Sequence, residues 1–242
     1  MVFLKLHLQL KIHRKPTNLK HPIMFQWLQQ LPNYWRNRNA ITYWLWPFEV
    51  VYKMAWYVRQ RAICLGWIQQ HRVNATVIVV GNVVVGGGGK TPLTMALVQR
   101  LVSQGFQVGV VSRGYGRTET SLQIVNAQSS ASVVGDEPLM IFQKCNVPVV
   151  VSAQRVTAAR QLLHHFPSVN VLVCDDGLQH IELQREIEIC VLDATGLGNG
   201  HLLPAGPLRE PWPRQVDLLL HTHTREHSLK GLSLAVNSAH LL

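Results

Sequence analysis

Residues 81–91 read Gly-Asn-Val-Val-Val-Gly-Gly-Gly-Gly-Lys-Thr, between an apolar run and an amphipathic stretch. Glycines let a backbone turn so that successive N–H groups face one anion. The helix that follows adds its positive N-terminal end. Lys90 has the reach to meet the β- and γ-phosphates of a nucleotide, and the Thr91 hydroxyl suits Mg²⁺. Pro92 fits a first helical turn, where its missing N–H costs nothing. The common pattern has Gly five residues before the last loop Gly, and here that position is Val84. Loop 84–91 (Val84, Val85, Gly86, Gly87, Gly88, Gly89, Lys90, Thr91) is therefore a phosphate loop read from its context, strand then Gly-rich turn then helix.

Carboxylates supply the second half of such chemistry. Asp175 and Asp176 follow the apolar run 169–174, where a phosphoryl-transfer enzyme needs an acid for Mg²⁺. Two adjacent acids at a strand end repel unless a cation or donors sit nearby. The alternative is a turn that uses Asp as its starter. Gln179 and His180 follow closely. Asp136 and Glu137 precede Pro138 and a short helix; they serve either acid–base chemistry or only the helix cap and first turn. The run Ser-Arg-Gly-Tyr-Gly-Arg at 112–117 puts Arg113 and Tyr115 at a strand end, to hold phosphate, stack a base or form a solvated turn. Arg209 and Glu210 lie in a Pro- and Gly-punctuated loop suited to a charged ligand. His221, His223 and His227 lack an accompanying Cys or His pair, so they do not read as zinc ligands.

These residues need elements to hold them. From residue 73, β-branched runs at 76–80, 107–111, 147–151, 169–174, 187–192 and 216–220 alternate with helical stretches at 91–103, 138–144 and 153–165. That alternation predicts an α/β layered domain with a mostly parallel sheet, in which ligands bind at the carboxyl ends of the strands. A chain that is 47% hydrophobic and 15% charged is not disordered, and four Cys in 242 residues do not make a disulfide scaffold.

The net charge of +10 is concentrated in the first 72 residues, where eleven Lys and Arg face one acid, Glu49; the rest carries twelve of each sign. Six of the seven Trp lie in the same segment. Residues 1–23 read as a basic extension without a secretory signal. Residues 24–72 read as a helical segment, in which Trp44, Phe48, Val51, Tyr52 and Ala55 share one face. Trp and Tyr favour the headgroup zone and Lys and Arg favour anionic lipid, so the helix either lies on a membrane surface or packs on its own domain. Nothing resembles a base-reading module, so nucleic acid is not an expected partner.

The motifs VGNVVVGGGGKTP, SRGYGR, VGDEP, VPVVVSAQRVTAAR, DDGLQH and GNGHLLPAGPLREP together resemble the tetraacyldisaccharide 4'-kinase family, the lipid A kinases of Gram-negative bacteria. The resemblance runs from about residue 24 to about residue 222, in the family's order. It implies a P-loop NTPase-like domain over 73–242, preceded by an N-terminal amphipathic, membrane-associated helix. It implies transfer of the ATP γ-phosphate to the 4'-hydroxyl of a tetraacylated glucosamine disaccharide 1-phosphate, giving lipid IVA at the cytoplasmic face of the inner membrane. Carried across by motif, loop 84–91 with Gln179, Arg113 and Tyr115 would serve the nucleotide side. Thr91, Asp175 and Asp176 would serve Mg²⁺. Asp136, Glu137, Arg209 and Glu210 would form the reacting site, with Asp136 helping to activate the sugar hydroxyl. The family also has a C-terminal lobe bearing a His paired with that Asp, and no counterpart is found before Leu242; the resemblance therefore implies a kinase core without that lobe. Two alternatives stand beside this reading: a weakly active or inactive fragment that binds ATP and membrane, and another membrane-associated P-loop ATPase.

Overall fold

The computed structural model describes residues 34–35, 40–86, 89–222 and 235–236. The basic extension 1–23, Gly87, Gly88, His223 and His227 lie outside the described residues. Helix α1 (Ala40–Cys64) precedes β1 (Thr76–Gly81), α2 (Lys90–Ser103), β2 (Val108–Ser112) and β3 (Gln123–Ile124). Then come α3 (Ala131–Val134), α4 (Asp136–Cys145), β4 (Val149–Val151), α5 (Arg155–His165), β5 (Val171–Asp175), β6 (Ile187–Leu192), β7 (Leu218–His221) and β8 (Ala235–Val236).

The strands form one sheet in the order β3-β4-β2-β5-β1-β6-β7-β8. Pairing is parallel from β4 through β7 and antiparallel only at the two edges, β3 on β4 and β8 on β7. The expected α/β layered domain with a mostly parallel sheet is thus the observed one. The central strands are apolar on both faces because helices cover both. In β1, Val77 and Val79 join a core with Ala158, Ala159 and Leu162 of α5. Ile78 and Val80 point the other way, into a core with Val98 of α2 and Ile141 of α4. This is the two-residue alternation of a strand read out by two different layers.

The α5 face of the sheet is also roofed by Leu178, Leu183, Leu202 and Leu208, with Tyr52 of α1 packed against them. Helix α1 ends in a left-handed Gly66 (φ 74°). The Trp67 N–H donates to Ala62 O and the Gly66 N–H to Ile63 O, a Schellman termination. Among its residues only Thr42 is buried. Of the face read from the sequence, Tyr52 packs on the chain's own domain, while Trp44 (83% exposed), Phe48 and Val51 lie open. No helix among the described residues is long and apolar enough to cross a membrane.

Candidate active site

Parallel pairing sets Val80 of β1 beside Asp175 of β5, so the phosphate loop and the two acids leave the sheet side by side. Gly89 is the N-cap of α2 with φ 98° and no side-chain cap. A Cβ there would lie 3.1 Å from the Thr222 side chain, so both conformation and space call for glycine. The first N–H groups of α2 thus lack a capping side chain at a positive helix end.

Lys90 is folded back onto the loop. Its Nζ donates to Gly86 O at 3.0 Å and to Asn82 Oδ1 at 3.3 Å, and lies 3.5 Å from Asp176 Oδ1. Asn82, 2% exposed, also donates to Gly86 O, which pins the loop's start. On the far side the Arg209 N–H donates to Val83 O, and the Val85 N–H to Pro207 O. Val84 bridges Leu208. The Arg209–Glu210 loop is therefore laced to the phosphate loop by backbone hydrogen bonds, which is how residues far apart in sequence share one site.

The two acids have opposite environments. Asp176 sits in the left-handed region (φ 50°), which Asp tolerates. Its carboxylate accepts from Arg209 Nη1 at 3.3 and 3.2 Å. Burial pushes the Asp176 carboxyl up, but Lys90 and Arg209 outweigh it and hold the group below the usual range. Asp175 is 1% exposed and accepts from Thr94 Oγ1 at 3.1 Å. Burial first, then repulsion from Glu137, raises its carboxyl to about 6. An acid held at that value is short of positive charge.

The donor set suits Mg²⁺: Thr91 and Asp176, with Asp175 behind, are hard oxygen donors. Mg²⁺ characteristically takes only one or two carboxylates and completes its shell with water and phosphate. Among the described residues no cluster of three or more His, Cys, Asp or Glu could hold a metal ion.

A cavity of about 380 Å³ opens beside Asp176, walled by Tyr52, Trp56 and Arg59 of α1, by Arg113, by Gln179 and His180, and by Arg209 and Glu210. Gln179 Nε2 donates to Glu210 Oε1 at 3.1 Å and to Asn82 O at 3.0 Å. Burial, then the nearby Arg155 and Arg113, pushes His180 down to about 4, so its ring is neutral at pH 7. Helix α1 is fastened over the cavity by Tyr52 Oη donating to Arg209 O at 2.7 Å and Arg59 Nη2 donating to Gln179 O at 3.2 Å.

Of the sequence-predicted residues, Val85, Lys90, Asp176, Gln179, Arg209, Glu210 and Arg113 meet at this place. Asp136 and Glu137 stand exposed in the first turn of α4, whose N-cap is Gly135; Asp136 is inside the helix and not its cap. Gly135 packs on Gly114, where an added Cβ would come within 3.0 Å of the other backbone, so the 112–117 turn abuts the start of α4. Tyr115 is 86% exposed and does not line the cavity. Asn82, Thr94 and Arg155 were not singled out in the sequence, and Tyr52 was read only as part of the α1 face. Arg155, 3% exposed, donates to Asp175 O and Asp176 O, and its Nε has no hydrogen-bond partner. The only sequence signal for Thr94 is its place one turn after Thr91 on the same helix face.

The model of the family described as Tetraacyldisaccharide-1-P 4'-kinase matches residues 41–239. The chain belongs to this family. Proteins called Tetraacyldisaccharide 4'-kinase resemble it closely: 49% identity over 193 residues in Acidovorax sp. (strain JS42) and 51% over 192 residues in Polaromonas sp. (strain JS666 / ATCC BAA-500). The matches cover 80% and 78% of this chain, and the chain spans 57% of each relative. Among solved structures, the LpxK of Aquifex aeolicus, in complex with ATP, shares the fold at a TM-score of 0.68 and 35% identity. That match covers 76% of this chain and 59% of the other. The tetraacyldisaccharide kinase family thus accounts for the matched order of motifs from α1 to β8.

Proposed function

We propose that the chain carries the phosphate-transfer site of a tetraacyldisaccharide 4'-kinase, moving the γ-phosphate of ATP to the 4'-hydroxyl of a tetraacylated glucosamine disaccharide 1-phosphate. The observation that carries this reading is the cluster of Lys90, Asp176 and Arg209, two cations around one carboxylate at the mouth of a glycine loop. The loop N–H groups and Lys90 hold the nucleotide phosphates, and Thr91, Asp175 and Asp176 hold Mg²⁺. When bound, that ion neutralises charge that builds up on the phosphate oxygens. The sugar oxygen forms a bond to the γ-phosphorus as the bond to the β–γ bridging oxygen breaks, and ADP leaves. Asp136 takes the hydroxyl proton. Arg209, held beside Asp176 and oriented by Gln179 and Glu210, meets the transferring phosphate, while Arg113 and Tyr115 serve the ligand side.

Segment 24–72 is the membrane-docking part and 73–242 the catalytic part. The exposed Trp44, Trp46 and Phe48, with Lys53 and Arg61 on the same helix, support a peripheral position on the cytoplasmic face of the inner membrane, with acyl chains left in the bilayer. The test is transfer of label from γ-labelled ATP to the disaccharide lipid. The expected result is labelled product from the wild type and a loss of about 10²-fold or more in Asp136→Asn with ATP affinity kept. No product from the wild type, or an undiminished rate in the Asn variant, contradicts the assignment.

A further inference from the structure

Behind Arg209 and Gln179 runs a chain of alternating charges, Glu210, Arg214, Glu188 and Arg185, of which the reaction as described uses only the first. Glu210 is 5% exposed, and a buried carboxylate must be paired. Its main partner is Arg214, whose Nη1 donates to both Glu210 oxygens at 3.1 and 3.0 Å. Arg214 Nη2 donates to Glu188. Glu188 in turn is held by Arg185 Nε at 2.6 Å. Arg214 is thus gripped on both sides and has little freedom to move.

Glu210 uses that fixed position to orient an amide. Gln179 Nε2 donates to Glu210 Oε1, which turns Gln179 Oε1 toward Arg209 Nη1 at 3.4 Å. The same Nη1 reaches Asp176. An amide has one accepting and one donating end, and the Glu210 carboxylate and the Asn82 carbonyl both accept from the donating end, which leaves the oxygen for Arg209. Without Arg214, Glu210 would be a buried anion with a neutral amide, Gln179, as its remaining side-chain donor, and its sequence neighbour Arg209 would be drawn off Asp176. We propose that Arg214 is a positioning residue: through Glu210 and Gln179 it keeps the Arg209 guanidinium aimed at Asp176 and the transferring phosphate. This rests on the kinase reading above.

The experiment compares wild type, Arg214→Lys and Arg214→Gln by steady-state transfer from ATP to the disaccharide lipid. Misplacing a positioned group acts on the chemical step. Arg214→Gln is therefore expected to lower kcat roughly tenfold with the KM for ATP within about twofold. Lysine keeps a charge but cannot grip both carboxylates, so Arg214→Lys should fall between the two, about two- to fivefold below wild type. If the Gln variant does not fold, the Lys variant alone decides. Wild-type kcat in the Lys variant, or a KM for ATP that rises in step with the fall in kcat, overturns the positioning role. Failure of the wild type to transfer phosphate overturns the kinase reading and this inference with it.

Discussion

Helices α1 and α2 are both built from apolar and basic residues, and they differ in what holds them. Helix α2 is fixed by burial: Val98 is fully buried, and Leu93, Leu97 and Leu101 pack against the same core as Ile78 and Val80. Helix α1 leaves Trp44, Phe48, Val51 and Val58 open and is tied down mostly by polar contacts. Glu49 accepts from the Leu202 N–H at 3.0 Å and pairs with His201 Nδ1 at 2.8 Å, while Tyr52 and Arg59 donate to the backbone oxygens of Arg209 and Gln179. An apolar stripe shows that a surface is to be covered; it does not show by what. In α2 the cover is the sheet. In α1 Glu49, Tyr52 and Arg59 face the protein, and Trp44, Phe48, Val51 and Val58 are left exposed.

The contrast can be broken first in the core. Ile141→Ala, in the cluster beneath α2, is expected to cost about 2–5 kcal/mol in a denaturant titration. A loss below about 1 kcal/mol would mean that this layer does not carry the fold. Next in size is the end of α2. Lys90→Ala removes a charge-assisted phosphate contact worth about 1.5–3 kcal/mol, so ATP affinity should drop at least about tenfold in calorimetry. Unchanged affinity would detach the helix end from phosphate.

A smaller effect follows from Asp175. Its native carboxyl sits at about 6 against an ordinary value of 3.8. Below the ordinary value both folded and unfolded chains hold the proton. Between the two values the folded chain binds the extra proton, so this group's share of stability falls as pH rises through 6. Mg²⁺ competes with that proton, and melting curves should show more stabilisation by Mg²⁺ at pH 7.5 than at pH 5. Equal gains at both pH values would remove Asp175 from the ion's surroundings.

The smallest effect on stability belongs to α1. Trp44→Ala with Phe48→Ala should change unfolding free energy by no more than about 0.5 kcal/mol each, since exposed side chains are surrendered. The same pair should clearly reduce co-sedimentation with anionic vesicles, and undiminished vesicle binding would place the attachment elsewhere.

Much of this architecture is legible in the residues. The runs at 76–80 and 187–192 became β1 and β6 nearly to the residue, because continuous β-branched apolar stretches have one stable home, a strand covered on both faces. The glycine loop and the Asp pair stand out in the sequence for a related reason: glycines before Lys and acids after a strand are local patterns, and the sheet brings the two together. The two-residue edge strands β3 and β8 carry too little pattern to read. Helix α4 begins at Asp136, before the expected start at 138, because a first-turn acid followed by Pro is compatible with both cap and helix. Asn82, Thr94 and Arg155 escaped notice because their roles exist only after folding. A buried amide, hydroxyl and guanidinium gain meaning from the backbone oxygens and carboxylates brought to them across the sheet. Which side of α1 meets the protein was equally hidden, since its stripe suits either cover.

The central claim is that Lys90, Asp176 and the end of α2 form one site for a magnesium nucleotide. It is tested most directly by calorimetric titration of ATP into wild type and Asp176→Asn, with and without Mg²⁺. The account predicts that Mg²⁺ tightens ATP binding to the wild type. In Asp176→Asn that gain should be largely lost while metal-free ATP binds at least as well, because a negative charge beside the phosphates is gone. An Asn variant that keeps the full Mg²⁺ gain would contradict the account.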